Sequence, residues 1–94
     1  MLYAIFNQPR FVVIDMTRAI QEPANRLSHS KLSKSRQEKI MQRYAVLLPK
    51  VIKDYGQSNN KTVFSATVLS GQNKGLDITN EIINKTLMRL KHEA

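Results

Sequence analysis

Seven carboxylates and two imidazoles are the side chains in this sequence that suit acid–base or metal chemistry, and their placement argues against both. Asp15, Glu22, Glu38, Asp54, Asp77, Glu81 and Glu93 are scattered along the chain, and Asp15 and Asp77 fall where helices need caps. His29 lies in a serine-rich stretch and His92 near the end, neither with a ligand-spaced or triad-like companion, so both read as solvated. Cysteine is absent, which removes thiol nucleophiles, thiolate zinc sites and disulfides. Gly71 and Gly75 belong to a turn and lack the strand-to-helix glycine pattern that cradles phosphate. The expectation is a non-enzymatic protein without cofactor or metal.

Charge is the stronger signal. The chain carries 15 Lys and Arg against 7 Asp and Glu, a formal +8. Between residues 26 and 53 stand Arg26, Lys31, Lys34, Arg36, Lys39, Arg43, Lys50 and Lys53 against Glu38 alone, so this stretch carries +7 of that total. Arg36, Lys39, Arg43, Lys50 and Lys53 fall on one flank of a helical wheel, where they either contact an acidic partner or phosphates, or form a solvated face. Nucleic acid is the weaker partner, because Tyr44 and Tyr55 belong to the apolar stripe and Tyr3, Phe6, Phe11 and Phe64 lie in or near apolar runs.

The elements that would position this flank are legible. At 94 residues the chain is one domain, and 41% hydrophobic with 23% charged residues is ordinary globular composition. Phe11–Ile14 reads as a buried strand, and Asp15 caps a short or kinked helix interrupted by Pro23. Residues 28–35 are a polar connector. Ile40, Met41, Tyr44, Leu47, Leu48, Val51, Ile52 and Tyr55 then form one stripe of a long helix capped by Ser33 or Ser35, bent near Pro49 and closed by Gly56. So large a stripe exceeds what one short helix and two strands cover, so part of it is expected to meet another chain in a homo-oligomer. Residues 61–69 read as a second strand and 70–75 as a turn; Asp77 or Thr79 then starts a last helix with Ile82, Ile83, Leu87 and Leu90 on one face. The fold class is α/β: a small two-stranded, parallel sheet with a helical excursion, in the order β-α-α-β-α with a kinked long central helix.

Residues 1–10 stand apart from the domain at 11–94. Met1, Leu2, Ala4, Ile5 and Phe6, with Tyr3 among them and a polar Asn7-Gln8-Pro9-Arg10 behind, fit either the interfacial end of a membrane helix cut off upstream or an apolar end that frays or starts a strand.

Val12-Val13-Ile14-Asp15-Met16, the Leu32-Ser33 helix start, Tyr44, Tyr55, and above all Ser65-Ala-Thr-Val-Leu-Ser-Gly71 followed by Asp77-Ile78-Thr79-Asn80-Glu81-Ile82 resemble the TrbI proteins of F-type conjugative type IV secretion systems. The distinctive core of that likeness is Ser65, Val68 and Gly71 with Asp77, Ile78 and Thr79. Ala66 departs from it, standing where the family pattern favours proline, and 72–76 makes a longer link before the Asp-Ile-Thr run. The resemblance implies an inner-membrane protein with one N-terminal span, which would make residues 1–10 a juxtamembrane segment, and a periplasmic domain that meets other secretion-system proteins in pilus assembly or retraction. More distantly the chain resembles the periplasmic Skp chaperones, which implies a holdase; a basic DNA-binding accessory of plasmid transfer is the alternative from another class.

Overall fold

The structure is a computed structural model that describes residues 11–67 and 76–93. Strand β1 (Phe11–Ile14) leads into helices α1 (Met16–Ser28) and α2 (Lys34–Asn59), the chain returns through β2 (Thr62–Ser65), and α3 (Thr79–Glu93) follows. This is the expected small α/β fold, in the order β-α-α-β-α. The two strands pair in parallel, Phe11 opposite Thr62 through Ile14 opposite Ser65. A helical crossover carries the chain back to the same end of the sheet, and this makes parallel pairing natural.

Residues 76–78 add a feature that the sequence does not foretell. The Val13 amide donates to the Leu76 carbonyl at 2.8 Å and the Ile78 amide donates to the Val13 carbonyl at 2.9 Å, forming a parallel bridge between Val13 and Asp77. β1 is therefore bonded on both edges. Its continuous apolar run is nevertheless covered on one face only. Val12 and Ile14 are buried, whereas Phe11 is 45% exposed and meets the equally open Phe64 edge-on, ring centroids 6.0 Å apart. The second strand is also shorter than residues 61–69: it ends at Ser65, and Val68 and Gly71 of the family-like motif lie outside the described residues.

Helix α1 begins at Asp15, whose carboxylate accepts the Arg18 amide, and it runs through Pro23 without a break. A proline there has no amide hydrogen for the carbonyl of Ala19, one turn back. The Tyr44 hydroxyl of α2 takes the empty place, donating to the Ala19 carbonyl at 2.6 Å; Ala19, Pro23 and Tyr44 are all buried. Pro49 deprives Ala45 of the same donor in α2, but both of those residues lie on the exposed side of the helix.

Ser33, rather than Ser35, caps α2 by accepting the Arg36 amide. At the other end the expectation that Gly56 closes the helix is corrected. The helix continues to Asn59, and Asn60 makes the left-handed turn at φ 53°. Asn tolerates that region better than most residues. Gly56 is needed for a different reason: the Lys61 amide returns to bond its carbonyl at 2.9 Å, and a Cβ at residue 56 would sit 2.9 Å from the Lys61 carbonyl oxygen. Gly56→Ala is therefore expected to lower stability by about 1 kcal/mol in urea titrations, since the clash of about 1–3 kcal/mol outweighs alanine's helix propensity of about 1 kcal/mol.

The core gathers Val12, Ile14, Ala19, Tyr44, Leu48, Val51, Ile78, Ile82 and Ile83, with Met41, Ile52, Tyr55, Leu87 and Leu90 packed around it. The centre of the stripe, part of which is expected to meet another chain, is covered within this one. Leu47, Leu48 and Val51 are 4%, 1% and 2% exposed within the single chain. Ile40, Met41, Ile52 and Tyr55 are half-buried at the stripe's margins. A third helix packed along α2, together with a bridged sheet, supplies cover beyond that of one short helix and two strands.

Candidate interaction surface

The residues of the Asp-Ile-Thr run form a structural joint. Asp77 stands just before α3, and its Oδ1 accepts both the Thr79 amide, at 3.0 Å, and the Thr79 hydroxyl. The Thr79 Oγ1 in turn accepts the Asp15 amide at 2.9 Å, across 64 residues of sequence. Arg18 of α1 closes the group, its guanidinium donating to Asp77 Oδ2 at 3.0 Å. Its Nε faces Glu22 at 3.6 Å, too far for a hydrogen bond. Ile78 and Thr79 are buried. One compact network thus ties the ends of β1 and the 76–78 segment to the first turns of α1 and α3. Ser65, the other described member of the motif, pairs with Ile14 and is exposed.

Charge reflects this arrangement. Burial pushes the Asp77 carboxyl up, but hydrogen bonds from the Thr79 hydroxyl and amide, and then the Arg18 guanidinium, outweigh that and hold it below its ordinary value of 3.8. A carboxyl depressed in the folded state stabilises fully above its unfolded pKa, and that contribution is lost as pH falls through the folded one. The urea midpoint is therefore expected to fall as pH drops below about 4. Asp77→Asn should lower stability near neutral pH and flatten that acid limb; an unchanged acid limb would show that other carboxyls govern it. At the opposite extreme, the Tyr44 hydroxyl is pushed up to about 12, chiefly by burial, with Arg26 lowering it and Glu22 raising it.

The basic flank is where the sequence places it. Arg36, Lys39, Arg43, Lys50 and Lys53 are all exposed along α2 and span about 25 Å at 1.5 Å per residue. None of them has an ion pair among the described residues. Four carboxylates face other cations: Asp77 and Glu22 face Arg18, Glu81 faces Lys85 at 4.0 Å, and Asp54 receives Arg89 at 2.9 Å. The flank therefore keeps a net positive field, with Glu38 as the acidic residue between Arg36 and Lys39. Its members also differ in surroundings. Lys53 edges a recess of about 530 Å³ beside Gly56 and Lys61, whereas Arg43 edges an apolar groove between α2 and α3.

That groove encloses about 680 Å³ over Ile40, Leu87, Met88 and Leu90, with Arg43 and Lys91 at its rim. Met88 is 60% exposed. A smaller apolar recess of about 200 Å³ adjoins it, sharing Ile40 and Leu87 and reaching under α1 to Leu27, Met41 and Arg26. Sequence reasoning puts Leu87 and Leu90 on the core face, names Arg26 within the basic stretch, and does not single out Met88 or Arg18. The helical spacing of Leu87, Leu90 and Lys91 shows that they share a side of α3, but not that α2 stops short of covering it.

Among the described residues no group of His, Cys, Asp or Glu is arranged to hold a metal ion, and no helix is long and apolar enough to cross a membrane. No protein-family model, curated protein or solved structure matches the chain. The arrangement as a whole offers a joint whose polar atoms serve one another, and an unpaired cationic face beside an apolar groove. Such a surface is suited to binding.

Proposed function

We propose that the chain is a non-enzymatic periplasmic component of an F-type conjugative type IV secretion system, acting in pilus assembly or retraction through protein–protein contacts, with inner-membrane anchorage supplied upstream of the domain. The observation that carries this reading is the placement of the motif by which the chain resembles TrbI proteins. Asp77, Ile78 and Thr79 bind the last helix to Asp15 and β1, so the polar atoms most suited to chemistry are engaged in holding the fold. What remains for function is the surface, and its dominant property is the cationic flank of α2.

The test is charge reversal on that flank. Lys39→Glu with Lys50→Glu should leave the thermal unfolding curve within about 0.5 kcal/mol of the parent, as exposed substitutions do. The same variant should slow association with a secretion-system partner captured by site-specific cross-linking, flatten the salt dependence of that association, and reduce plasmid transfer. If the parent instead binds duplex DNA, with log affinity falling against log salt at about 0.9 per phosphate contacted, the basic flank serves nucleic acid. If it suppresses aggregation of unfolded outer-membrane proteins and joins no secretion component, a holdase role replaces the one in pilus assembly.

A further inference from the structure

We propose that the groove between α2 and α3 receives an acidic amphipathic helix of a partner protein, the helix's apolar side chains entering over Ile40, Leu87 and Met88 and its carboxylates meeting Arg43, Lys91 and Arg26. The inference specifies the partner chemistry of the contact proposed above, and so rests on a binding role, but it does not depend on the partner's belonging to a secretion apparatus.

Shape and charge both lead to this occupant. The groove is concave, about 680 Å³, and continues into a second apolar recess through Ile40 and Leu87. It spans one turn of α2, from Ile40 to Arg43, and about two turns of α3, from Asn84 to Lys91, which suits two or three apolar anchors at helical spacing. Met88 stands over it with a flexible side chain that adapts to an incoming surface. Every charged residue described as lining the groove or its recess is a cation: Arg43, Lys91 and Arg26. Arg43 has no carboxylate partner among the described residues, and the flank of α2 extends the positive field on either side of it.

The same charges argue against other occupants. A second copy docked face to face across a two-fold axis sets Arg43 and Lys91 against their own counterparts, a like-charge arrangement that opposes association. A membrane surface is met by a row of apolar side chains that protrude together, whereas of the groove's apolar residues Met88 alone is mostly exposed and Ile40, Leu87 and Leu90 are half-buried.

The experiment uses the whole chain with methyl-labelled Ile, Leu and Met, and a synthetic helix of about four turns with Leu on one face and Glu along its flanks. Fluorescence anisotropy gives the affinity and methyl shifts locate the site. Saturable binding with shifts at Ile40, Leu87, Met88 and Leu90 is expected. Met88→Glu and Arg43→Glu should each weaken it by about tenfold, and Lys50→Glu, on the same flank but away from the groove, by much less. A helix with Lys in place of Glu, and one with the Leu positions scrambled, should bind at least about tenfold more weakly. Equal binding of the scrambled helix, or shifts confined to residues near Lys50 and Lys53, would reduce the interaction to unspecific charge attraction and overturn the proposal. So would groove shifts produced by vesicles containing phosphatidylglycerol but not by the acidic helix. Loss of helix binding in Met88→Glu together with unimpaired plasmid transfer would uphold the groove while removing it from pilus assembly, and the secretion-system reading itself falls with normal transfer in the flank variant, so the two fail separately.

Discussion

Replacing Tyr44 by phenylalanine is expected to lower the stability of the domain by about 1–3 kcal/mol, and most of that loss should disappear when Pro23 is alanine. The reasoning concerns one carbonyl. Ala19 is completely buried, and Pro23, one turn later, cannot supply the amide hydrogen its carbonyl would ordinarily receive. The Tyr44 hydroxyl supplies it from another helix at 2.6 Å. Phenylalanine keeps the ring and its packing but leaves a buried acceptor unserved, and that desolvation penalty is the larger part of the effect. With Pro23→Ala the helix recovers its own donor, so Tyr44→Phe in that background should cost under about 1 kcal/mol. Chemical denaturation of the four members of this cycle gives the coupling directly. Equal losses in both backgrounds would mean that the hydroxyl and the proline are independent. Tyr44→Ala removes the ring as well and should cost about 3–5 kcal/mol, an effect of cavity rather than hydrogen bonding.

The second large effect is expected at Thr79. Its hydroxyl accepts from the Asp15 amide and donates to the Asp77 carboxylate, and the residue is fully buried. Valine has the same shape without the oxygen. Thr79→Val therefore takes away an acceptor from the first strand's exit and a donor from a half-buried carboxylate, at about 2–4 kcal/mol, because one of the two bonds is to a charged group. Thr79→Ser keeps both bonds and loses one methyl group, for about 1 kcal/mol. Hydrogen exchange should separate them further: the Asp15 amide should lose protection in the valine variant and keep it in the serine variant. If both variants unfold at the same denaturant concentration, shape alone matters at residue 79 and the network contributes little.

Both predictions rest on contacts between residues far apart in sequence, which is where legibility from the sequence ends. Local chemistry is readable. Asp15 and Ser33 cap because short oxygen-bearing side chains accept the amide three residues on. The stripe from Ile40 to Tyr55 turns its centre inward because apolar spacing near 3.6 residues admits one orientation. The parallel sheet follows from crossover length. Gly56 misleads because a glycine late in an apolar stripe can end a helix or admit a neighbouring segment, and composition does not separate the two. Residues 76–78 do not read as strand because three residues carry no periodicity. The pairing of Pro23 with Tyr44 has no local signature at all: each looks ordinary until the fold brings them together. As for the surface, the basic flank of α2 is readable from charge and spacing, whereas the groove needs the relative placement of two helices.

The position of β1, bonded on both edges by segments that follow it, bears on how the chain matures. The strand is the first part of the domain to be synthesised, and its neighbours, β2 and residues 76–78, come tens of residues later; the bond from Asp15 to Thr79 spans 64 positions. Until those segments have left the ribosome, Phe11–Ile14 presents an apolar strand with open backbone groups, while α1 and α2 can already form from local contacts. Closure is thus deferred until residues 76–93 have been made, and α3 acts as the latch. Nascent chains released before residue 79 are hazardous in the way unpaired strand edges are, prone to association with one another rather than to partial function.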